Sequence, residues 1–179
     1  MGTISGKRVA FLLTDGFEDS ELTSPWTAVA AAGATPVLVA PAEGEVKGKK
    51  GHSQSVDLVV DAADASVFDA LVLPGGVINA DQLRMNQASI AFARAFFTLN
   101  KPVGVICHGA WILVETGELG GRTMTSYPSL RTDLRNADAN WVDEEVVVDR
   151  GLISSRTPAD LPAFNAKVIE EIATTRPVS

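Results

Sequence analysis

Five apolar residues in a row, Val9-Ala10-Phe11-Leu12-Leu13, give way at once to Thr14-Asp15-Gly16. An unbroken apolar run of that length, closed by turn residues, predicts a strand buried on both faces. Pro25 to Ala32 is Ala-rich and ends at Gly33, which predicts a helix with a glycine stop. Val37-Leu38-Val39 predicts a second strand. Lys47 to Lys50 is basic and flanked by glycine, a solvated hairpin-like turn leading into Val56 to Val60. Leu71-Val72-Leu73 is a third buried run, stopped by Pro74-Gly75-Gly76. Asn86 is the N-cap expected for a helix through Leu99, whose apolar face is Ile90, Phe92, Ala93 and Phe96-Phe97. Val103 to Ile106 gives a fourth strand, and a helix follows from about Ala110 to Glu115. Val146-Val147-Val148 and Leu152-Ile153 predict paired strands, and a closing helix falls between Asp160 and Ile172.

Strands alternating with helices predict a doubly wound α/β sandwich with a mainly parallel sheet. No linker, repeat or change of composition divides the chain, so a single domain over residues 1–179 is expected. Sheets of this kind bind ligands beyond the carboxyl ends of their strands. Three segments lie there: Asp15 to Asp19, Pro74 to Val77, and Cys107 to Gly109.

Composition narrows the chemistry. A chain of 179 residues that is 46% hydrophobic and 21% charged is no disordered tail. Fifteen basic against twenty-two acidic side chains give a formal net charge of -7, which argues against nucleic acid as a partner. The one cysteine, Cys107, allows no intrachain disulfide, and with two histidines, His52 and His108, a zinc site is not expected. The first apolar run is too short for a secretion signal and nothing later approaches a membrane span. A soluble cytoplasmic protein without a membrane partner is therefore expected.

Cys107 follows Val105-Ile106 and precedes His108-Gly109, so it falls at a sharp strand-to-helix turn of the nucleophile-elbow kind. A helix N-terminus beneath the sulfur favours the reactive thiolate. His108 is the candidate general base, and His52, in the polar hairpin-like stretch, reads as a surface residue. Pro74-Gly75-Gly76 can bring backbone N–H groups close to a reacting oxygen, which makes the amides of Gly76 and His108 the candidate oxyanion hole. Glu18, past the first strand, is read as a carboxyl near the sulfur, protonated beside a thiolate and able to shuttle a proton. Asp19 and Glu21 fit the role of N-terminal helix charges.

Asp15-Gly16-Phe17-Glu18-Asp19-Ser20-Glu21-Leu22, Leu73-Pro74-Gly75-Gly76, Thr125-Ser126-Tyr127-Pro128, Ile106-Cys107-His108-Gly109, Val146-Val147-Val148-Asp149 and Ser154 to Leu161 occur in that set across nearly the whole chain. Together they resemble the PfpI family of intracellular protease-like and general stress proteins. The resemblance implies a flavodoxin-like sandwich, a homodimer or higher homo-oligomer, and catalysis without a cofactor. It maps the nucleophile onto Cys107 and the buried glutamate onto Glu18. It makes Asp81 the acid that would orient His108 from a neighbouring subunit, an aspartate where archaeal protease-type members carry a glutamate. Ala110 replaces the proline common after Cys-His-Gly. No histidine follows His108, which excludes the distant Cys-His glutaminase triad of the related class I amidotransferases.

The leading functional expectation is a cysteine enzyme acting on reactive carbonyls, methylglyoxal or glycation adducts, in the manner of a deglycase or glyoxalase III. The second is a PfpI-type cysteine protease acting on peptides. The third is a non-enzymatic redox-sensing stress protein in which Cys107 is oxidised beside Glu18.

Overall fold

The computed structural model describes residues 2–175. The first apolar run forms β1 (Arg8–Leu12), an interior strand of a seven-stranded sheet. Chain order continues with α1 (Asp19–Ala31), β2 (Thr35–Ala40), β3 (Glu45–Lys47), β4 (Ser53–Ser55), β5 (Leu58–Val59) and β6 (Ala70–Leu73). Next come α2 (Val77–Leu83), α3 (Gln87–Thr98), β7 (Val103–Ile106), α4 (Ala110–Val114), β8 (Thr123–Met124) and α5 (Arg131–Asn136). The chain closes through β9 (Asn140–Trp141), β10 (Val147–Asp149), β11 (Leu152–Ser155) and α6 (Leu161–Thr174).

The sheet runs β10-β11-β7-β6-β1-β2-β5, parallel throughout except for the antiparallel β10–β11 pair at one edge. This is the doubly wound sandwich that the strand–helix alternation predicts. Residues of one strand alternate between two apolar cores. Ala10, Leu12, Leu71, Leu73, Val103 and Val105 pack with α3, α4 and α5, while Val9, Phe11, Val72 and Ile106 pack with α1 and α6. Both faces are covered, which is why these strands read as continuous apolar runs.

Several elements depart from expectation. The first helix begins at Asp19, six residues before Pro25, and carries that proline inside it. The stretch 45–60 divides: β3 and β4 form a separate hairpin, and β5 joins the main sheet beside β2. The helices α2 and α5 and the small β8–β9 sheet carry too little apolar periodicity to announce themselves. Asn86 does cap α3, its Oδ1 accepting from Ser89 N–H at 2.8 Å.

Candidate active site

The carboxyl ends of β1, β6 and β7 bring the three expected segments together. β7 stops at Ile106, and Cys107 takes φ = 60° in the turn before α4. A left-handed non-glycine residue costs about 1–2 kcal/mol, and here the packed strand and helix on either side hold it. Cys107 is 8% exposed, and its carbonyl accepts from Tyr127 N–H at 3.3 Å.

Gly75 and Gly76 follow β6 and close over the sulfur. Gly76 sits at φ = 98°, and a Cβ there would lie 2.4 Å from Gly16 O. A Cβ on Gly75 would lie 2.4 Å from Glu21 Oε1 and 2.8 Å from Cys107 Cβ. Only glycine permits this approach of backbone to side chain. The N–H groups of Gly76 and His108 both bond toward the Cys107 sulfur and favour its ionised form.

The carboxyl beside the sulfur is Glu21, not Glu18. Glu21 is fully buried, and its Oε1 accepts from Gly75 N–H at 2.9 Å. Its Oε2 is buried without a hydrogen-bond partner among the described residues, and the Cys107 thiol lies within reach of the carboxyl group. Burial pushes the Glu21 pKa up to about 8 against the bond from Gly75, and the nearby Glu18 charge adds to the rise. Glu21 is thus a carboxylic acid at neutral pH. Cys107 is pushed up to about 12, by burial first and the Glu21 carboxylate second. The expectation of a resting thiolate is therefore corrected: α4 has five residues, too few for its dipole to offset the desolvation of sulfur.

Glu18 is buried too, but it is ion-paired with Lys49 and with Lys50, the latter at 2.8 Å. Burial works to raise its pKa, yet the two lysine ammonium groups outweigh that and hold it below the usual range. The protonated carboxyl expected at Glu18 is instead an ionised partner of the β3–β4 turn. Sequence reading misplaced the role because the expected helix started at Pro25. A start at Asp19 puts Glu21 on the same buried stripe as Leu22, Pro25 and Val29, and a carboxyl on an apolar helix face is the signal that was there to find.

His108 places Nδ1 3.2 Å from Cys107 Sγ. Its ring stacks on Tyr127 at 4.5 Å and meets the edge of Trp111 at 5.4 Å, while Nε2 lies 3.5 Å from Ser129 Oγ. Burial, and then the Lys49 charge, lower its pKa, so the imidazole is neutral at pH 7. Asp81 lies on the exposed side of α2, and its side chain makes no hydrogen bond or ion pair to another described residue. His52 is half-buried rather than a free surface residue, with Nε2 3.0 Å from Gln54 Oε1 and its ring edge on Phe17. Among the described residues no three His, Cys, Asp or Glu side chains are placed to share a metal ion. A groove of about 780 Å³ between α3 and residues 60–66 includes none of the candidate site residues.

A parallel α/β sandwich with a cysteine on a strained turn at the sheet's carboxyl edge, flanked by a buried acid and a histidine, defines a class of cysteine-centred sites. Within that class the chain belongs to the DJ-1/PfpI family, whose model matches residues 7–171. It is 47% identical over 160 residues to "Putative cysteine protease YraA" of Bacillus subtilis, covering 89% of this chain and 94% of that one. It is 46% identical over 163 residues to "General stress protein 18" of the same organism, covering 89% and 94%. Identity to "Deglycase PH1704" of Pyrococcus horikoshii is 42% over 163 residues, covering 91% and 98%. A two-domain protein from Anabaena variabilis, with DJ-1/ThiJ/PfpI-like and ferritin-like domains, superposes with a TM-score of 0.89 at 35% identity. That match takes in 92% of this chain and 47% of the Anabaena chain. No helix among the described residues is long and apolar enough to cross a membrane.

Proposed function

We propose that the protein is a cofactor-independent cysteine enzyme that detoxifies reactive carbonyls, hydrolysing methylglyoxal or the adducts it forms on amines. The observation that carries this reading is the placement of the acid. Glu21 stands at the sulfur itself, and no acidic group of the described chain stands behind His108 to orient it. That arrangement suits addition to a carbonyl, where protons move at the reacting atoms, better than a triad for acyl transfer.

In the proposed reaction His108 Nδ1 takes the thiol proton as Cys107 Sγ adds to the aldehyde carbon. The carbonyl oxygen is held by the amides of Gly76 and His108 and receives the Glu21 proton, giving a neutral hemithioacetal. The Glu21 carboxylate then removes the proton from the sulfur-bearing carbon while the hydroxyl proton on that carbon passes to the neighbouring ketone oxygen. Return of the carbon-bound proton from Glu21 to the neighbouring carbon gives the thioester of the 2-hydroxy acid. Water cleaves the thioester, releasing lactate and restoring the thiol. Methylglyoxal plus water thus become lactate and one proton. The deglycase name of the Pyrococcus horikoshii relative supports this reading.

The second reading is peptide hydrolysis, which the name of the YraA relative favours. Cys107 would be acylated, with His108 as base and Asp81 of a neighbouring copy as orienter. Lactate formation from methylglyoxal without glutathione, and cleavage of a fluorogenic peptide, separate the two. Wild type is expected to turn over methylglyoxal, Cys107→Ala none, and Glu21→Gln at least about a hundredfold less. Peptide cleavage without lactate formation would reverse the order. Turnover of neither substrate by fresh reduced protein would leave Cys107 as a redox sensor.

A further inference from the structure

The tip of the β3–β4 hairpin brings to this site a charge that the reaction above does not use. The hairpin is tied to the β1–α1 loop along its length. Gly16 N–H donates to Lys47 O at 2.9 Å, Lys47 N–H to Asp15 Oδ1 at 2.8 Å and Lys49 N–H to Phe17 O at 3.0 Å. Asp19 accepts from Lys50 N–H at 3.0 Å and from His52 N–H at 2.8 Å. The carboxylates of Asp15 and Asp19 are thereby directed at hairpin backbone.

The lysine ammonium groups of the tip converge on Glu18. Glu18 N–H in turn donates to Gly75 O at 3.2 Å, and Gly75 N–H holds Glu21. The carboxylate is covered, at 6% side-chain exposure, whereas Lys49 is 50% and Lys50 66% exposed. Two cations share this one carboxylate, so Glu18 does not hold Lys49 alone. Lys49's charge reaches Cys107, Glu21 and His108, and at neutral pH none of those three is charged to cancel it. Lys50 also leaves Glu18 paired if Lys49 turns away, so that movement does not strand a buried carboxylate.

The geometry points to Lys49 as a specificity-determining residue that seats an anionic group of the substrate, so that the site prefers carbonyl compounds with a carboxylate close to the reacting carbon. This rests on the carbonyl-directed reading of the site and narrows it from neutral methylglyoxal toward its adducts with free α-amino acids.

Two alkylating agents of nearly equal size test the charge preference apart from catalysis. Iodoacetate and iodoacetamide both form a thioether at Cys107 with loss of iodide, so the fraction of thiolate cancels from the ratio of their rate constants. At low ionic strength the iodoacetate/iodoacetamide ratio for wild type should exceed that of a neutral unstructured cysteine peptide by about threefold to tenfold. It should fall to the peptide's value in Lys49→Gln and at about 0.5 M salt, while Lys50→Gln keeps most of it. A wild-type ratio equal to the peptide's, or one unchanged in Lys49→Gln, overturns the inference. So does failure of both reagents to reach Cys107 in the folded protein. Hydrolysis of the methylglyoxal adducts of glycine and glycinamide supplies the substrate arm: wild type should favour the glycine adduct, and Lys49→Gln should lose that preference. Equal turnover of the two overturns the inference while leaving the carbonyl reading standing. Turnover of neither defeats the carbonyl reading, and the alkylation ratio still decides what Lys49 does.

Discussion

Two glutamates three positions apart carry opposite charge states because they face different neighbours. Glu18 has Lys49 and Lys50 and is an anion; Glu21 has an apolar face, one backbone N–H and a thiol, and is an acid up to about pH 8. Glu18→Gln should therefore cost only severalfold in methylglyoxal turnover, by loosening the hairpin, against the much larger loss in Glu21→Gln; lactate assays on both variants check this. Gly75→Ala makes a separate demand on packing. A methyl group 2.4 Å from Glu21 Oε1 and 2.8 Å from Cys107 Cβ must displace one of them. It should destabilise by about 1–3 kcal/mol in urea unfolding and abolish alkylation-sensitive activity, whereas a variant of unchanged stability and turnover would show the approach to be looser.

Among the elements, the strands were the most legible. β1, β6 and β7 are buried on both faces, so their sequences are unbroken apolar runs ending in turn residues, and the elbow at Cys107 and the Gly75-Gly76 turn follow from where those runs stop. The carboxyl partner of the sulfur was not legible, because it depended on where α1 begins and Pro25 suggested a late start. The role of the hairpin was not legible either, since the partners of Lys49 and Lys50 lie more than thirty positions away and a basic Gly-flanked turn looks solvated. Asp19 fastens that turn through two backbone N–H groups. Removing it in Asp19→Ala should speed amide hydrogen exchange at Lys50 and His52 by at least about tenfold, with little change in the sheet. Unchanged exchange at those two positions would mean that other contacts hold the hairpin.

At the scale of the molecule, the two kinds of carboxyl give stability opposite dependences on pH. Glu18, Asp19, Asp149 and Asp160 titrate below their ordinary values in the folded chain, so their contributions are present above about pH 4 and fade as pH falls. Glu21 is raised from 4.5 to about 8, so between those values the folded chain binds the extra proton and stability declines as pH rises. Thermal midpoints of wild type and Glu21→Gln should agree near pH 5, and the variant should become the more stable by a few kcal/mol, on the order of 2–5, toward pH 9. Parallel curves would contradict a raised Glu21. Assembly belongs to the same scale: Val77, Ile78 and Met85, on or just after the helix that carries Asp81, are 51–64% exposed apolar side chains. The homodimer or larger homo-oligomer that the family resemblance implies should appear in sedimentation velocity, and peptide hydrolysis that needs Asp81 of a neighbour should fall on dilution to monomer.

The whole account turns on a neutral carboxylic acid lying against the Cys107 sulfur. Infrared difference spectra recorded through a pH titration observe that proton directly. A carboxylic-acid carbonyl band should be present at pH 6.5, disappear through about pH 8, survive in Glu18→Gln, vanish in Glu21→Gln and shift in Cys107→Ala. A band that persists in Glu21→Gln, or none at pH 6.5 in the wild-type protein, would contradict it.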